Sequence, residues 1–401
     1  MAQFDFSLTP VEEVSARTRI FQDHLQRLDL DGALLAQNAD LFYFSGTLQQ
    51  GYLYIPAHGE SVLMVRKHLP RARAESPLEQ VIAMASPKEI PGILQRLGLP
   101  LPRRLGLELD VLPAQRYLGF CRLLPHAEMS DVSDAVRQVR AVKSTYEIEK
   151  IQEAARRADA VQQAVPGFIE TGISEVALAG RIEAEARRLG HQGVVRMRLW
   201  GAELFYGHLM SGANAAAPSF LASPTGGRGL GPAVAQGPSL APVVPGVPIL
   251  VDYVFAYDGY LADQTRIYVI GELPEALHRA HEAMVTLQNE LAERMRPGTR
   301  AGDLYQWSLE RVADLGYSEH FMGAAAADRI RFVGHGIGLE LDEYPFLAQG
   351  QATVLAEGMI VALEPKLIFP EKGVVGIENT WQVTRNGGQR LTQLSDAIVS
   401  V

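Results

Sequence analysis

One stretch, Ile249–Tyr268, constrains the fold more than any other: it reads ILVDYVFAYDGYLADQTRIY. Two runs rich in β-branched and aromatic residues flank Asp258-Gly259, a dipeptide suited to a tight two-residue hairpin turn. That turn predicts pairing of Tyr257 with Tyr260 and sets Asp252 opposite Thr265. Side chains alternate along a strand, so Asp252, Val254, Leu261, Asp263 and Thr265 then share one face. Asp252 and Asp263 become diagonal neighbours, roughly 7–8 Å apart at the backbone. Two carboxylates without a positive partner are costly to bury on an otherwise apolar hairpin. Either both face solvent, or something positive sits between them, for which a pair of metal ions is the natural candidate.

The rest of the chain narrows the classes of function. With 401 residues it has length for two or three domains and an ample core. Its net charge is −9, with no concentrated run of Lys or Arg, which argues against nucleic acid or an anionic membrane surface as partner. A single cysteine, Cys121, excludes an intrachain disulfide framework and fits a reducing compartment. The opening MAQFDFSLTPVEEV is polar and acidic, unlike a secretory signal, and no stretch approaches the roughly 18 apolar residues of a membrane span. The expectation is a cytoplasmic protein.

Taken in order, Ser15–Leu28 carries helical periodicity, Gly32–Ala36 reads as a buried strand, and Asn38-Ala39-Asp40 reads as a turn. Strands follow at Leu53–Ile55 and Ser61–Val65, joined across His58-Gly59, then a helix over Ile90–Leu97, a strand over Arg104–Leu109 and a helix over Ala114–Leu124. Strands alternating with helices imply an α/β domain, placed at residues 1–140. His24, His58, His68 and His126 are scattered singly through it, as surface or satisfied core residues are. At Ser144 and Glu147 a capping box opens a helix with Ile151, Ala155, Ala158 and Val161 on one face. A second amphipathic helix follows Ser174, and helices are expected at Pro274–Met295 and Ala301–Leu315. The second domain is placed at residues 141–401. Between Leu209 and Pro248 runs a Gly/Pro/Ser/Ala-rich tract with neither a phosphate-binding nor a dinucleotide fingerprint, read as a long irregular loop. Loops of that length inside a domain are often functional, and Arg228 is its candidate for meeting a substrate carboxylate.

Three further residues join the two aspartates. His335 lies among glycines in GHGIG, Glu364 closes the apolar run MIVALE, and Glu378 sits in GVVGIENTWQV. A carboxylate within a β-rich apolar run is the informative kind of buried polar residue. Four carboxylates and one imidazole suit two divalent ions with water or hydroxide between them. Oxygen-rich ligation favours Mn²⁺, Co²⁺ or Fe²⁺ over a thiolate-selected metal, with zinc still open.

With these motifs in place, the chain resembles the pita-bread metallopeptidases: prolidase, aminopeptidase P, methionine aminopeptidase and their relative creatinase. The likeness covers the creatinase-type amino-terminal region, the RAVKSTYEIEKIQEAARRAD junction, LVDYVF, ADQTR, GHGIG, ALEPK and GIENT. It implies an α/β amino-terminal domain, an α+β pita-bread domain and a homodimer. It also implies metal ligation by Asp252, Asp263, His335, Glu364 and Glu378. The activity implied is hydrolysis of an Xaa-Pro amide in a dipeptide or short peptide by metal-bridged hydroxide. Glu364 then doubles as proton acceptor, and Thr265 orients a ligating carboxylate. Two departures bear on substrate. Relatives carry a His where SGANAAAPSF has Ser219, and a second where GLELDEYPF has Asp342. His208, in FYGHLMSG, is the nearest imidazole to take over. The departures also fit a non-peptidase C–N hydrolase on the same scaffold. A catalytically inactive binding module is the remaining alternative.

Overall fold

The structure, a computed structural model, describes residues 7–204, 206–218 and 220–401. The chain divides into two compact units, Met1–Arg140 and Ala141–Val401. In the first, helices and strands alternate: α1 (Val11–Arg27), β1 (Gly32–Leu35), α2 (Asn38–Ser45), β2 (Gly51–Pro56), β3 (Val62–Val65), α3 (Leu69–Glu75), β4 (Gln80–Ala83), α4 (Ile90–Arg96), β5 (Arg104–Leu107), α5 (Ala114–Leu123), β6 (Glu128–Asp131) and α6 (Ser133–Ala141). The strands form one mixed sheet in the order β4-β3-β2-β1-β5-β6. Leu34, Met64, Ile93, Leu105 and Phe120 lie at its core. This is the α/β layering expected from the pattern. Asn38–Asp40 departs from expectation, because these residues open α2 rather than a turn. The Gln37 side chain accepts the Asp40 N–H at 2.9 Å and caps the helix. Ala39, Leu41, Tyr43 and Phe44 are all buried, so this short helix lacks the polar face by which periodicity is read.

The second unit contains α7 (Thr145–Ala164), α8 (Glu175–Arg188), β7 (Gly207–Ser211), α9 (Gly212–Ala215), β8 (Ile249–Tyr257), β9 (Tyr260–Val269), α10 (Glu275–Arg294) and α11 (Ala301–Asp314). Then come β10 (Phe332–Gly336), β11 (Glu343–Ala348), β12 (Ile360–Leu363), β13 (Lys366–Phe369), β14 (Gly373–Gly376), β15 (Asn379–Thr384), β16 (Gly387–Arg390) and β17 (Val399–Ser400). One sheet runs β17-β9-β8-β7, a second β11-β10-β12-β15-β16, and β13-β14 form a two-stranded ribbon. Ala158 and Val161 of α7 pack on Val251, Tyr253 and Tyr268 of the first sheet. Met284, Leu287 and Leu291 of α10, with Leu304 of α11, pack with Val361 and Leu363 of the second. The unit is thus α+β, strands backed by helices. Ser144 and Glu147 form the expected capping box at the start of α7. Among the described residues no helix is long and apolar enough to cross a membrane.

The Gly/Pro-rich tract is less irregular at its start than expected, since it takes in the end of β7 and the short α9. Glu175, fully buried in the first turn of α8, gathers it. One Glu175 oxygen accepts from the N–H and hydroxyl of Ser211, at 2.6 and 2.9 Å. The other accepts from Asn214 at 2.6 Å and from the N–H and hydroxyl of Ser239, at 2.8 and 2.7 Å. These long-range bonds, not local propensity, order the segment.

His191 ties a loop to the outside of β8. Its Nδ1 accepts from the Gly193 N–H at 2.9 Å, and its Nε2 donates to the Val254 carbonyl at 3.1 Å. The Gly193 contact needs an unprotonated Nδ1, and burial, only partly opposed by the Val254 carbonyl, lowers the ring's pKa to about 4. The folded value lies below the unfolded one near 6.5, so stability is expected to fall as pH drops from about 6.5 to 4. With screening allowed for, the loss is on the order of 2 kcal/mol. Thermal melts of wild type and His191→Gln across that range check it: the variant should show the shallower slope.

Candidate metal centre

β8 and β9 pair in the expected register, Tyr257 with Tyr260, Asp252 with Thr265 and Val254 with Asp263. Asp252 and Asp263 therefore do share a face, and both are buried. β10 brings His335 beside them. A Cβ on Gly334 would meet the Ala362 carbonyl at 2.6 Å, and one on Gly336 the Tyr344 carbonyl at 2.2 Å. Glycine is what lets the strands close in around this histidine. Glu364 follows the end of β12. Glu378 lies in the link between β14 and β15, not inside a strand as its apolar surroundings suggested. Gly376, with φ 155°, turns the chain where a Cβ would meet the Pro365 carbonyl at 2.5 Å.

Two residues outside the ligand set hold that link and its carboxylate. Thr265, as anticipated, donates its hydroxyl to Glu378 Oε2 at 2.9 Å. Arg266, fully buried, was not foreseen. It donates to the carbonyls of Thr265 at 2.8 Å, Glu378 at 3.0 Å, Leu394 at 2.8 Å and Ser395 at 2.8 Å, and to Asn379 Oδ1 at 2.9 Å. Each guanidinium nitrogen is engaged, and the backbone carrying Glu378 is fixed from below. Burial pulls the Arg266 pKa down to about 10, which still leaves it charged at neutral pH.

The acceptors converge. His335 Nδ1 faces the Leu341 carbonyl at 2.9 Å, so it must donate, and Nε2 is turned toward the carboxylates. Nε2 stands 3.6 Å from Glu364 Oε1 and 3.8 Å from Glu378 Oε1. Glu378 Oε1 is buried with no hydrogen-bond donor. Ligand atoms of Asp263, His335 and Glu378 lie within 4.8 Å of one another, the only such trio among the described residues. Burial, and then the charges of Glu378 and Asp252, push the Asp263 carboxyl well above its ordinary range. Burial also lifts Glu364, to about 7 despite Lys366. Burial would lower the His335 pKa, but the surrounding carboxylates of Glu378, Asp342 and Glu364 raise it well above its ordinary value. A proton on Nε2 is the smallest cation that can fill the gap. A divalent ion does the same with more charge, so the residues fit the metal that the sequence implied.

Lys366 is the other unforeseen member. Its ammonium, wholly buried, donates to Asp252 Oδ2 at 3.0 Å, Glu364 Oε2 at 2.8 Å and Glu378 Oε2 at 2.9 Å. Burial opposes ionisation of Glu378, yet Lys366 and His335 together hold it at about 2.

A cavity of about 160 Å³ opens above these groups. His208, opposite Asp252 in the β7–β8 ladder, lines it, as do Asp342, Glu203, Leu204, Phe220 and Leu341. Burial keeps His208 below its ordinary pKa, and its Nε2 lies 3.4 Å from Gln236 Oε1. Asp342 Oδ1 is 3.8 Å from His335 Nδ1. Arg228 lines an open groove with Pro218 and Phe220 and is not among the residues around the cavity. Ser219 lies outside the described residues. Phe220 borders the cavity, whereas Trp381 and Tyr344 pack in the core of the second sheet.

Residues 149–385, well over half the chain, match the model of metallopeptidase family M24. The chain belongs to this family. In keeping with M24 membership, residues 17–142 match the creatinase/prolidase N-terminal domain. An Xaa-Pro dipeptidase of Pyrococcus horikoshii is 28% identical over 388 residues, spanning 94% of this chain and 97% of its own. The crystal structure of the prolidase from Pyrococcus horikoshii OT3 superposes with a TM-score of 0.79 at 26% identity, covering 95% of this chain and 99% of that one. An Xaa-Pro dipeptidase from Bacillus anthracis, 23% identical, shares the fold with a TM-score of 0.82 over 97% of this chain and all of its own. This M24 chain therefore combines a metallohydrolase scaffold with a buried cluster of groups able to hold a metal ion.

Proposed function

We propose that the protein is a metal-dependent peptidase that cleaves the amide bond before proline in a dipeptide or short peptide. The observation that carries this reading is the buried trio of Asp263, His335 and Glu378 on the floor of a small cavity. The likeness to Xaa-Pro dipeptidases over nearly the whole chain supports the substrate class.

Asp252, Asp263, His335, Glu364 and Glu378 are the groups that would hold divalent metal. Such an ion, when bound, supplies Lewis acidity at a scissile carbonyl and eases deprotonation of water. The remaining chemistry belongs to the protein. Glu364 accepts the proton of the attacking water at its carboxylate and passes it to the departing proline nitrogen. Thr265 fixes the Glu378 carboxylate, and Arg266 fixes the backbone beneath it. His208 and Asp342 line the cavity wall, and they are assigned to the substrate termini. The cavity of about 160 Å³, with Asp263, His335 and Glu378 buried at its floor, is assigned to a small peptide ligand. Oxygen-rich ligation favours Mn²⁺, Co²⁺ or Fe²⁺ over Zn²⁺. A cytoplasmic homodimer completes the proposal. The lone cysteine fits the compartment, the resemblance to prolidase the dimer, and sedimentation velocity tests the latter.

Incubation with a panel of Xaa-Pro dipeptides and Mn²⁺ or Co²⁺, with free proline measured, tests the activity. Proline release that stops on chelation and returns with metal is the expected outcome. Asp342, an acid on the wall where the family resemblance implies a histidine, favours one other reading, a hydrolase of a non-peptide C–N bond. Failure to cleave any member of the panel by a metal-loaded protein would select it.

A further inference from the structure

The number of ions depends on Lys366. Asp252 and Glu378 are two of the groups a second ion must use, and the Lys366 ammonium already bridges them, at 3.0 and 2.9 Å. It reaches Glu364 Oε2 as well, at 2.8 Å. These are ordinary distances for a charge-assisted hydrogen bond, and an ion coordinated by the same oxygens would have to stand where the ammonium stands. Lys366 and Gly376 are register partners in the β13–β14 ribbon, and a Cβ at Gly376 would come within 3.0 Å of Lys366 Cγ. The lysine stem thus lies in a slot that only glycine leaves open. With the side chain wholly buried, withdrawal would strand its charge away from any carboxylate. The convergent trio meanwhile leaves Asp252 out: Asp263, His335 and Glu378 gather without it.

We propose that the Lys366 ammonium takes the place of one of the two cations, so that the centre holds a single divalent ion on Asp263, His335 and Glu378, with Glu364 beside it. Asp252 then serves as the counter-ion of Lys366 rather than as a metal ligand. The inference rests on the metal-dependent reading above and alters its ion count.

Elemental analysis of the full-length protein, equilibrated with excess Mn²⁺ and freed of unbound metal, gives the direct test. Wild type is expected to retain one ion per chain, and Lys366→Met, which opens the bridged carboxylates, two. Two ions in wild type overturn the proposal, as does one in both proteins. Should Lys366→Met fail to fold, electron paramagnetic resonance of the Mn²⁺-loaded wild type decides alone. An isolated six-line spectrum is expected, and an exchange-coupled pair refutes the idea. The dipeptide panel, run on the same samples, separates the two claims. Proline release with two ions bound removes only the role given to Lys366, whereas no bound metal and no release removes the peptidase reading with it.

Discussion

Asp263→Asn is expected to yield a folded protein that retains no divalent metal and has lost at least about 10³-fold in turnover, because the ion's contribution to the barrier is several kcal/mol. The substitution is conservative for folding. Asp263 Oδ1 accepts the Gln264 N–H at 2.9 Å, a bond the asparagine oxygen can keep, and its own N–H reaches the Thr380 hydroxyl through the backbone. What changes is charge. Burial and the neighbouring Glu378 and Asp252 already push the Asp263 carboxyl well above its ordinary range. In the metal-free protein a neutral amide therefore relieves repulsion, and the melting temperature should hold or rise. Wild type gains stability on metal addition by mass action, and the variant should not. Calorimetry with and without Mn²⁺, beside elemental analysis, checks both halves. Retained metal and activity would remove Asp263 from the centre.

Glu364→Gln is expected to behave differently. Asp263, His335 and Glu378 remain intact in this variant, so metal should still bind. The amide cannot accept a proton, however, and kcat should drop by roughly 10²–10⁴-fold, the usual contribution of a general acid–base group. KM should move little, since the loss falls on the chemical step rather than on substrate binding. The two variants thus separate holding the ion from moving the proton. A Glu364→Gln protein with near-normal kcat would assign proton transfer elsewhere, with His208 the next group on the cavity wall.

Much of the centre was legible because strands have a period of two. Asp258-Gly259 sets the hairpin, the hairpin sets the register, and the register alone puts Asp252 and Asp263 on one face. His335 and Glu364 were visible as polar residues in apolar or glycine-rich runs. The same criterion applies to Lys366, a charge inside ALEPKLIF, and to Arg266, inside DQTRIY. Part of the positive charge that the acids require therefore stands two residues beyond Glu364, on Lys366. Arg266 is harder to foresee, because its acceptors on residues 378–395 lie more than 100 positions along the chain. The same non-locality hid β7, whose pairing with β8 and anchoring by Glu175 leave no local periodicity. Helix α2 was missed for the opposite reason, being buried on too many sides to show a pattern.

Anomalous diffraction from crystals grown with Mn²⁺ reaches the central claim without passing through activity. A peak within coordination distance of Asp263, His335 and Glu378 is the predicted result. A map with no peak there, from protein that has bound Mn²⁺ elsewhere, would contradict the account.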